Sequence, residues 1–386
     1  MSRGYISGLL LAAALLSVAP GNASSAPDVT QPGYKPPADS DEAGLWLQAE
    51  QFEKGLQQSP LLVRDEALNA YLKKLVCEIA GPQCSSVRVF LVEDPEFNAA
   101  CLPNGTMVVQ TGLLLRVENE AQLAVVLGHE LTHYLKRHSI AHYQSERSIE
   151  GKLKFLFLPL SGLVLLPKVI AYGWLASHDR DQEREADAGG FDAVVGLGYD
   201  PRQAAIIWSH VEEEESANPK RSSSSLFMAN HPTPKERLAT MTKRADELQG
   251  QSHANTLGAE TFRAATRPFR GAWLEQEIDR GEFSESIALF QRLIKNDPGS
   301  GDLQFYLGEA YRRRNQKGDA DLALTAYRSA IAGTNAPVAA HRSLGLVALK
   351  SGQKTVARDA FRQYLALVPD ASDRATVEYY LKTMGE

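Results

Sequence analysis

Two histidines four residues apart, and a carboxylate cluster fifty residues further along, constrain this chain more than any other feature. The stretch NEAQLAVVLGHELTHYLKRH places His-Glu-x-x-His at His129, Glu130 and His133. It contains no proline and one glycine, and Asn119 with Gln122 three residues on resembles a capping box that starts a helix. On such a helix His129 and His133 share a face one turn apart, so both imidazoles can reach one metal ion. Glu130 sits beside His129 and can reach a water on that ion, as a general base rather than a ligand.

The third ligand decides the class of site. A third histidine in the extended pattern needs glycine at position 136 and histidine at position 139. The chain has Lys136 and Ser139 there. With no glycine to break the helix, His138 lies about half a turn round from His129 and faces away. It is read as a packing or outer-shell histidine, and the pair His138 and His142 as surface or structural. The alternative is a carboxylate from a later helix, as in His2Glu zinc sites. HDRDQEREADAGG, from His178 to Gly190, offers Glu183, Glu185 and Asp187. Glu183 and Asp187 share a helical face, whereas Glu185 is about 200° from Glu183 and points elsewhere. A ligand glutamate with an aspartate one turn on, orienting a ligand histidine, suits that spacing. Taken alone, the same residues read as a solvated charged face.

If His133 and Glu183 meet at one ion, they lie in one compartment. Between them runs KFLFLPLSGLVLLPKVIAYGWLAS, residues 154–177, broken by Pro159 and Pro167 and interrupted by Lys168. A single membrane span would separate the two ligands, and two spans do not fit in that length. The stretch is read as a mobile apolar cover over the site, with an apolar surface that touches membrane or clients as the alternative.

The N-terminus, MSRGYISGLLLAAALLSVAPGNASSAP, has Arg3, a short apolar run from Gly8 to Val18 and then small residues. That is the layout of a cleaved signal peptide, assigned to residues 1–26. Export implies an oxidising compartment. Cys77 and Cys84 flank the turn signal Gly81-Pro82, so either they form a disulfide and leave Cys101 as an odd thiol, or all three are buried free cysteines. The formal charge of -6 shows no basic excess, which argues against a nucleic-acid surface.

Residues 27–41 read as a flexible N-terminus, and helical patterning follows to about Ile79. SVRVFLVED alternates like a strand, and Asn104-Gly105 leads into a second, TMVVQ. Residues 249–268 read as a linker, and 269–386 repeat themselves. Phe290 to Tyr327 is 37 residues and Tyr327 to Phe361 is 34. The tetratricopeptide period is 34. Leu344, Gly345, Gly352, Ala357, Phe361 and Pro369 stand at its marked positions, as do Leu307, Gly308 and Tyr311 one copy earlier. A weaker first copy keeps Gly281, Phe290 and Pro298. Helix pairs of this kind bury their apolar faces by stacking.

GHELTHYLKRH followed by DRDQEREADAGG closely resembles the HtpX-like gluzincin metallopeptidases. VEDPEFNAACLPNGTMVVQTGLL looks like the strand pair before their catalytic helix, GYDPRQAA like their next helix start, and NHPTPKERL like their late His-Pro segment. The resemblance covers about residues 42–248. It implies a mainly α (α+β) fold: a zincin-like metalloprotease domain with a small sheet, followed by an α-helical TPR solenoid. It matches His129, His133 and Glu183 to ligands of one zinc ion, Glu130 to the catalytic glutamate and Asp187 to the supporting acid. His231 matches a histidine near the zinc that shields or regulates it. Asp179 departs from the serine that relatives often carry before the arginine that is Arg180 here.

Exported members of this kind, with C-terminal TPR repeats, imply a periplasmic endopeptidase that cleaves misfolded or stalled envelope proteins. The repeats would bind clients or the outer-membrane β-barrel assembly machinery. The alternative is mainly a TPR chaperone or adaptor with latent protease activity. The chemistry expected is zinc-assisted hydrolysis with Glu130 moving the proton. The strand near Thr106–Thr111 is expected to form the cleft edge that pairs with an extended substrate.

Overall fold

The computed structural model describes residues 34–145, 178–218, 231, 233–248 and 255–385. The expected signal peptide and the apolar stretch 154–177 lie outside the described residues. Among the described residues no helix is long and apolar enough to cross a membrane.

The first half opens with α1 (Asp41–Gln58) and α2 (Glu66–Ala80), capped by Ser40 and Asp65 through their side-chain oxygens. The disulfide Cys77–Cys84 ties the end of α2 to the following 3-10 turn, and Cys101 is free and buried. Three strands follow: β1 (Arg88–Val92), β2 (Ala99–Cys101) and β3 (Thr106–Gln110). Their order is β1-β3-β2, with β3 parallel to β1 and antiparallel to β2. The outer side of β1 is covered, because Val63 N–H donates to Leu91 C=O and Glu93 N–H to Leu61 C=O. β2 is therefore the outer strand with no further strand beside it among the described residues, and it is buried. This corrects the expectation for Thr106–Thr111: that strand is central and paired on both sides, so it cannot receive a substrate strand. The short β2 carries no period-2 run long enough to announce itself.

Next come α3 (Thr111–Arg116), α4 (Glu120–Leu135) and α5 (His138–Ser145). The Asn119 side chain caps α4 by accepting from Gln122 N–H at 2.9 Å. Nearly every side chain of α4 is buried, which makes it the central helix of the domain. It packs on α6 (Arg180–Gly196). The backbones nearly touch: a Cβ on Gly190 would stand 2.4 Å from Val125 C=O, and one on Gly128 2.7 Å from Ala193 Cβ. Gly189 leaves the same kind of room for Thr132. Only glycine permits this approach, and it brings the ligand faces of α4 and α6 together. α7 (Gln203–Ser216) and α8 (Pro234–Glu247) complete the domain, α8 starting at a Thr233 cap with proline at its first position.

Part of the expected linker is built into this domain. Ala121 N–H donates to Leu257 C=O and Asp200 N–H to Thr256 C=O. α9 (Ala259–Thr266) then buries Phe262 against α2 and α4. The helices α10 (Arg270–Asp279), α11 (Phe283–Asn296), α12 (Gly301–Arg314), α13 (Asp319–Ala332), α14 (Ala339–Lys350), α15 (Lys354–Leu367) and α16 (Arg374–Thr383) form the second half. Two pairs repeat one packing device: the Tyr327 ring sits over Gly308 and the Phe361 ring over Gly345, each about as close as a Cβ would reach. A buried ionic seam joins the halves. Arg116 donates to Glu214 at 2.7 Å and to Glu277 at 2.8 Å, and Arg292 donates to Glu214 at 2.6 Å. Each charge is paired, as burial demands.

Candidate metal centre

The close contact of α4 and α6 brings His129, His133 and Glu183 to one point, all buried. His129 Nε2 and His133 Nε2 are 3.0 Å apart, and Glu183 oxygens lie 3.6 and 3.5 Å from them. His231, just before α8, adds its ring: Nδ1 is 3.1 Å from His129 Nε2 and 2.7 Å from Glu183 Oε2. The expectation placed His231 near the centre, and the structure places it within the cluster. One ligand atom from each of the four residues lies within 4.8 Å of every other.

Three observations test the fit to a metal. Glu183 Oε1 and Glu130 Oε1 are buried and accept no hydrogen bond from the described protein groups. Ring nitrogens converge on one point, where a neutral imidazole has one donor and one acceptor to offer. Burial holds His129 and His133 well below the usual histidine range and takes His231 down to about 3, so all three stay in the neutral, ligating form. Burial also pushes Glu130 up well above the carboxylate range and Glu183 up to about 8 in the absence of a cation. A divalent ion supplies the charge that reverses this. Three imidazoles and one carboxylate are the donor types that zinc takes.

Glu130 lies beside the cluster, its Oε1 4.0 Å from His129 Nε2. Asp187 Oδ1 is 3.0 Å from His129 Nδ1, where the spacing argument put it. Arg237 donates to the same Asp187 oxygen, and its Nη2 lies 2.8 Å from His129 Nδ1. The guanidinium stacks over Trp208, with Cζ 3.5 Å from the ring centroid.

Residues 63–245 match the description Peptidase family M48, and residues 276–332 and 316–372 match Tetratricopeptide repeat. The chain carries a peptidase family M48 domain followed by tetratricopeptide repeats. It is similar to the beta-barrel assembly-enhancing protease of Escherichia coli (strain K12), 25% identical over 266 residues, covering 64% of this chain and 53% of the relative. It is also similar to the mitochondrial metalloendopeptidase OMA1 of Schizosaccharomyces pombe, 27% identical over 195 residues, covering 50% of this chain and 56% of that one. The Arabidopsis thaliana protein of the same name is 30% identical over 192 residues, covering 46% and 36%. The match thus spans about half the length of the first two relatives. M48 metallopeptidases are zinc-dependent, and the donor set of this M48 domain fits one such ion.

Sequence reasoning missed two members of the centre and turned a third the wrong way. Arg237 was hidden in the charged run KER, where nothing distinguishes it from a solvated arginine. His178 opens the quoted carboxylate segment, and its ring stacks on His133 at a centroid distance of 3.9 Å. His138, read as a packing or outer-shell histidine facing away from the centre, does lie behind a ligand candidate, and the structure corrects only the direction it faces. α4 ends at Leu135 with Lys136 as its cap, and Arg137 takes a left-handed φ of 59°. The helix wheel therefore does not continue through His138, which turns back to lie 2.9 Å from His133. The signal sought was a glycine, and here an arginine makes the turn.

Proposed function

We propose that this chain is an exported zinc metalloendopeptidase that removes misfolded or stalled envelope proteins, with its repeats engaging clients or the β-barrel assembly machinery. One observation carries the reading: His129, His133 and Glu183 converge at one buried point with Glu130 beside them. His129, His133 and Glu183 would hold the zinc, with His231 within reach of the same ion. A bound zinc ion would supply Lewis-acid polarisation and a water activated at neutral pH.

The chain's own groups do the rest. Glu130 takes the proton of the attacking water and returns it to the leaving amine. Asp187, braced by Arg237, fixes the ring of His129. His133 and Glu183 meet in one site, which supports the reading that the apolar stretch between them does not make a single crossing. The Cys77–Cys84 disulfide supports an oxidising compartment, consistent with the proposed periplasmic location. The name of the E. coli relative supports β-barrel clients.

The test compares wild type with Glu130→Gln on an unfolded outer-membrane protein, each with its zinc content measured. Zinc retained with cleavage reduced at least about 100-fold is the expected result, the scale of a lost general base. Equal cleavage by the variant would refute the enzyme reading.

A further inference from the structure

The two ligand histidines of the proposed centre are held from behind by different chemistry. Asp187 and Arg237 stand behind His129. Behind His133 stands another histidine. His138 Nδ1 lies 2.9 Å from His133 Nδ1, and His138 Nε2 lies 3.1 Å from Glu185 Oε2. The other Glu185 oxygen pairs with Lys136 Nζ at 2.7 Å. His138 is buried, whereas the Glu185 side chain is 46% exposed, so the series runs from the centre out to solvent.

The geometry fixes where the hydrogens sit. His133 Nε2 points into the cluster, 3.0 Å from His129 Nε2 and 3.5 Å from Glu183 Oε1. If that atom is the ligand, the ring carries its hydrogen on Nδ1. His138 Nδ1 must then accept, which leaves the His138 hydrogen on Nε2, where it donates to the Glu185 carboxylate. Each ring has one tautomer compatible with all three contacts.

We propose that His138 is a positioning residue that, with Glu185, locks His133 in its Nδ1–H tautomer and thereby sets the zinc affinity of the centre. This rests on the zinc reading given above. A neutral imidazole stands between ligand and carboxylate, where a ligand histidine usually meets the carboxylate or a carbonyl directly. The backbone of the turn after α4 permits it. Arg137 at φ 59° returns His138 towards His133, and it is held by an ion pair with Glu42 and by the Tyr34 ring, 5.9 Å from its Cζ. Helix α1 and the residues just before it therefore brace the centre through that turn.

The experiment uses the full chain loaded with zinc. Imidazole nitrogen shifts of 15N-histidine-labelled protein should show His133 protonated on Nδ1 and His138 on Nε2. His138 protonated on Nδ1 would overturn the proposal, and this measurement needs no variant. Chelator competition then gives zinc affinity. His138→Phe keeps a ring but no acceptor and should bind zinc about 10–100-fold more weakly, the scale of a lost outer-shell partner. His138→Gln offers an amide oxygen to His133 and should recover most of that loss. Glu185→Ala should cost less than His138→Phe, since it acts through His138 and is partly solvated. Zinc binding by His138→Phe equal to wild type would overturn the proposal while leaving the metal centre intact. Wild type that binds no zinc would overturn both.

Discussion

Glycine brings helices into contact in both halves of the molecule, but against different neighbours. At the junction of α4 and α6, the atoms facing Gly190 are the backbone carbonyl of Val125 and the amide of His129. In the repeats, the atoms facing Gly308 and Gly345 belong to the rings of Tyr327 and Phe361. Backbone cannot move aside without shifting the residues it carries, and here it carries a proposed metal ligand. A ring can tilt, at the cost of packing. The first arrangement fixes the relative position of polar groups, and the second buries apolar surface between stacked repeats. Metal binding should therefore depend on the first junction and be indifferent to the second, even where damage to the second costs more stability.

The largest loss of stability is expected in the repeats. Phe361 is fully buried over Gly345, so Phe361→Ala should cost about 3–5 kcal/mol by transfer and cavity together. Zinc content at 25 °C should stay at the wild-type level. Calorimetry with metal analysis on the same sample checks both, and loss of zinc in this variant would break the comparison. Gly190→Ala is smaller in stability, about 1–3 kcal/mol for an overpacked contact. Its added methyl pushes on Val125 C=O and His129 N–H. Zinc affinity should fall by at least about tenfold, the response of a centre whose ligand has been displaced. Gly308→Ala is the control, with the same added methyl against a ring and zinc affinity unchanged.

Legibility in the sequence followed the same division. Period and marker residues exposed the repeats, because each copy buries the same kinds of residue at the same spacing: Gly308 with Tyr327, and Gly345 with Phe361. Helical spacing exposed His129, His133, Glu183 and Asp187, because all four depend on the regular part of α4 or α6. What stayed hidden depends on irregular or tertiary geometry. The return of His138 needs a left-handed arginine, which no residue preference announces. Arg237 acquires its role only because α8 lays it between Trp208 and Asp187. The edge strand β2 is three residues long, and its position outside β3 is a matter of pairing order. The sequence admits either a disulfide or free cysteines, and the structure joins Cys77 to Cys84.

The seam between the halves supplies the smallest effect and joins the comparison. His210 on α7 lies there, with its backbone carbonyl accepting from Arg292 and Glu118 4.0 Å from its ring. Burial first, and Arg292 second, take it down to about 3. The unfolded chain binds that proton at about pH 6.5. Between pH 6.5 and 3 the unfolded state thus holds more protons than the folded one, so stability falls as pH falls through this window and is fully present above it. One proton gives a slope of at most about 1.4 kcal/mol per pH unit, hence about 1 kcal/mol between pH 7 and 5.5. Other buried histidines titrate in the same range, so the measurement is a difference. Urea unfolding of the metal-free chain and of its His210→Gln variant, at pH 7 and at pH 5.5, isolates this residue. The variant should lose about 1 kcal/mol less on acidification. Equal losses would mean that the two halves part enough at this seam for His210 to meet water.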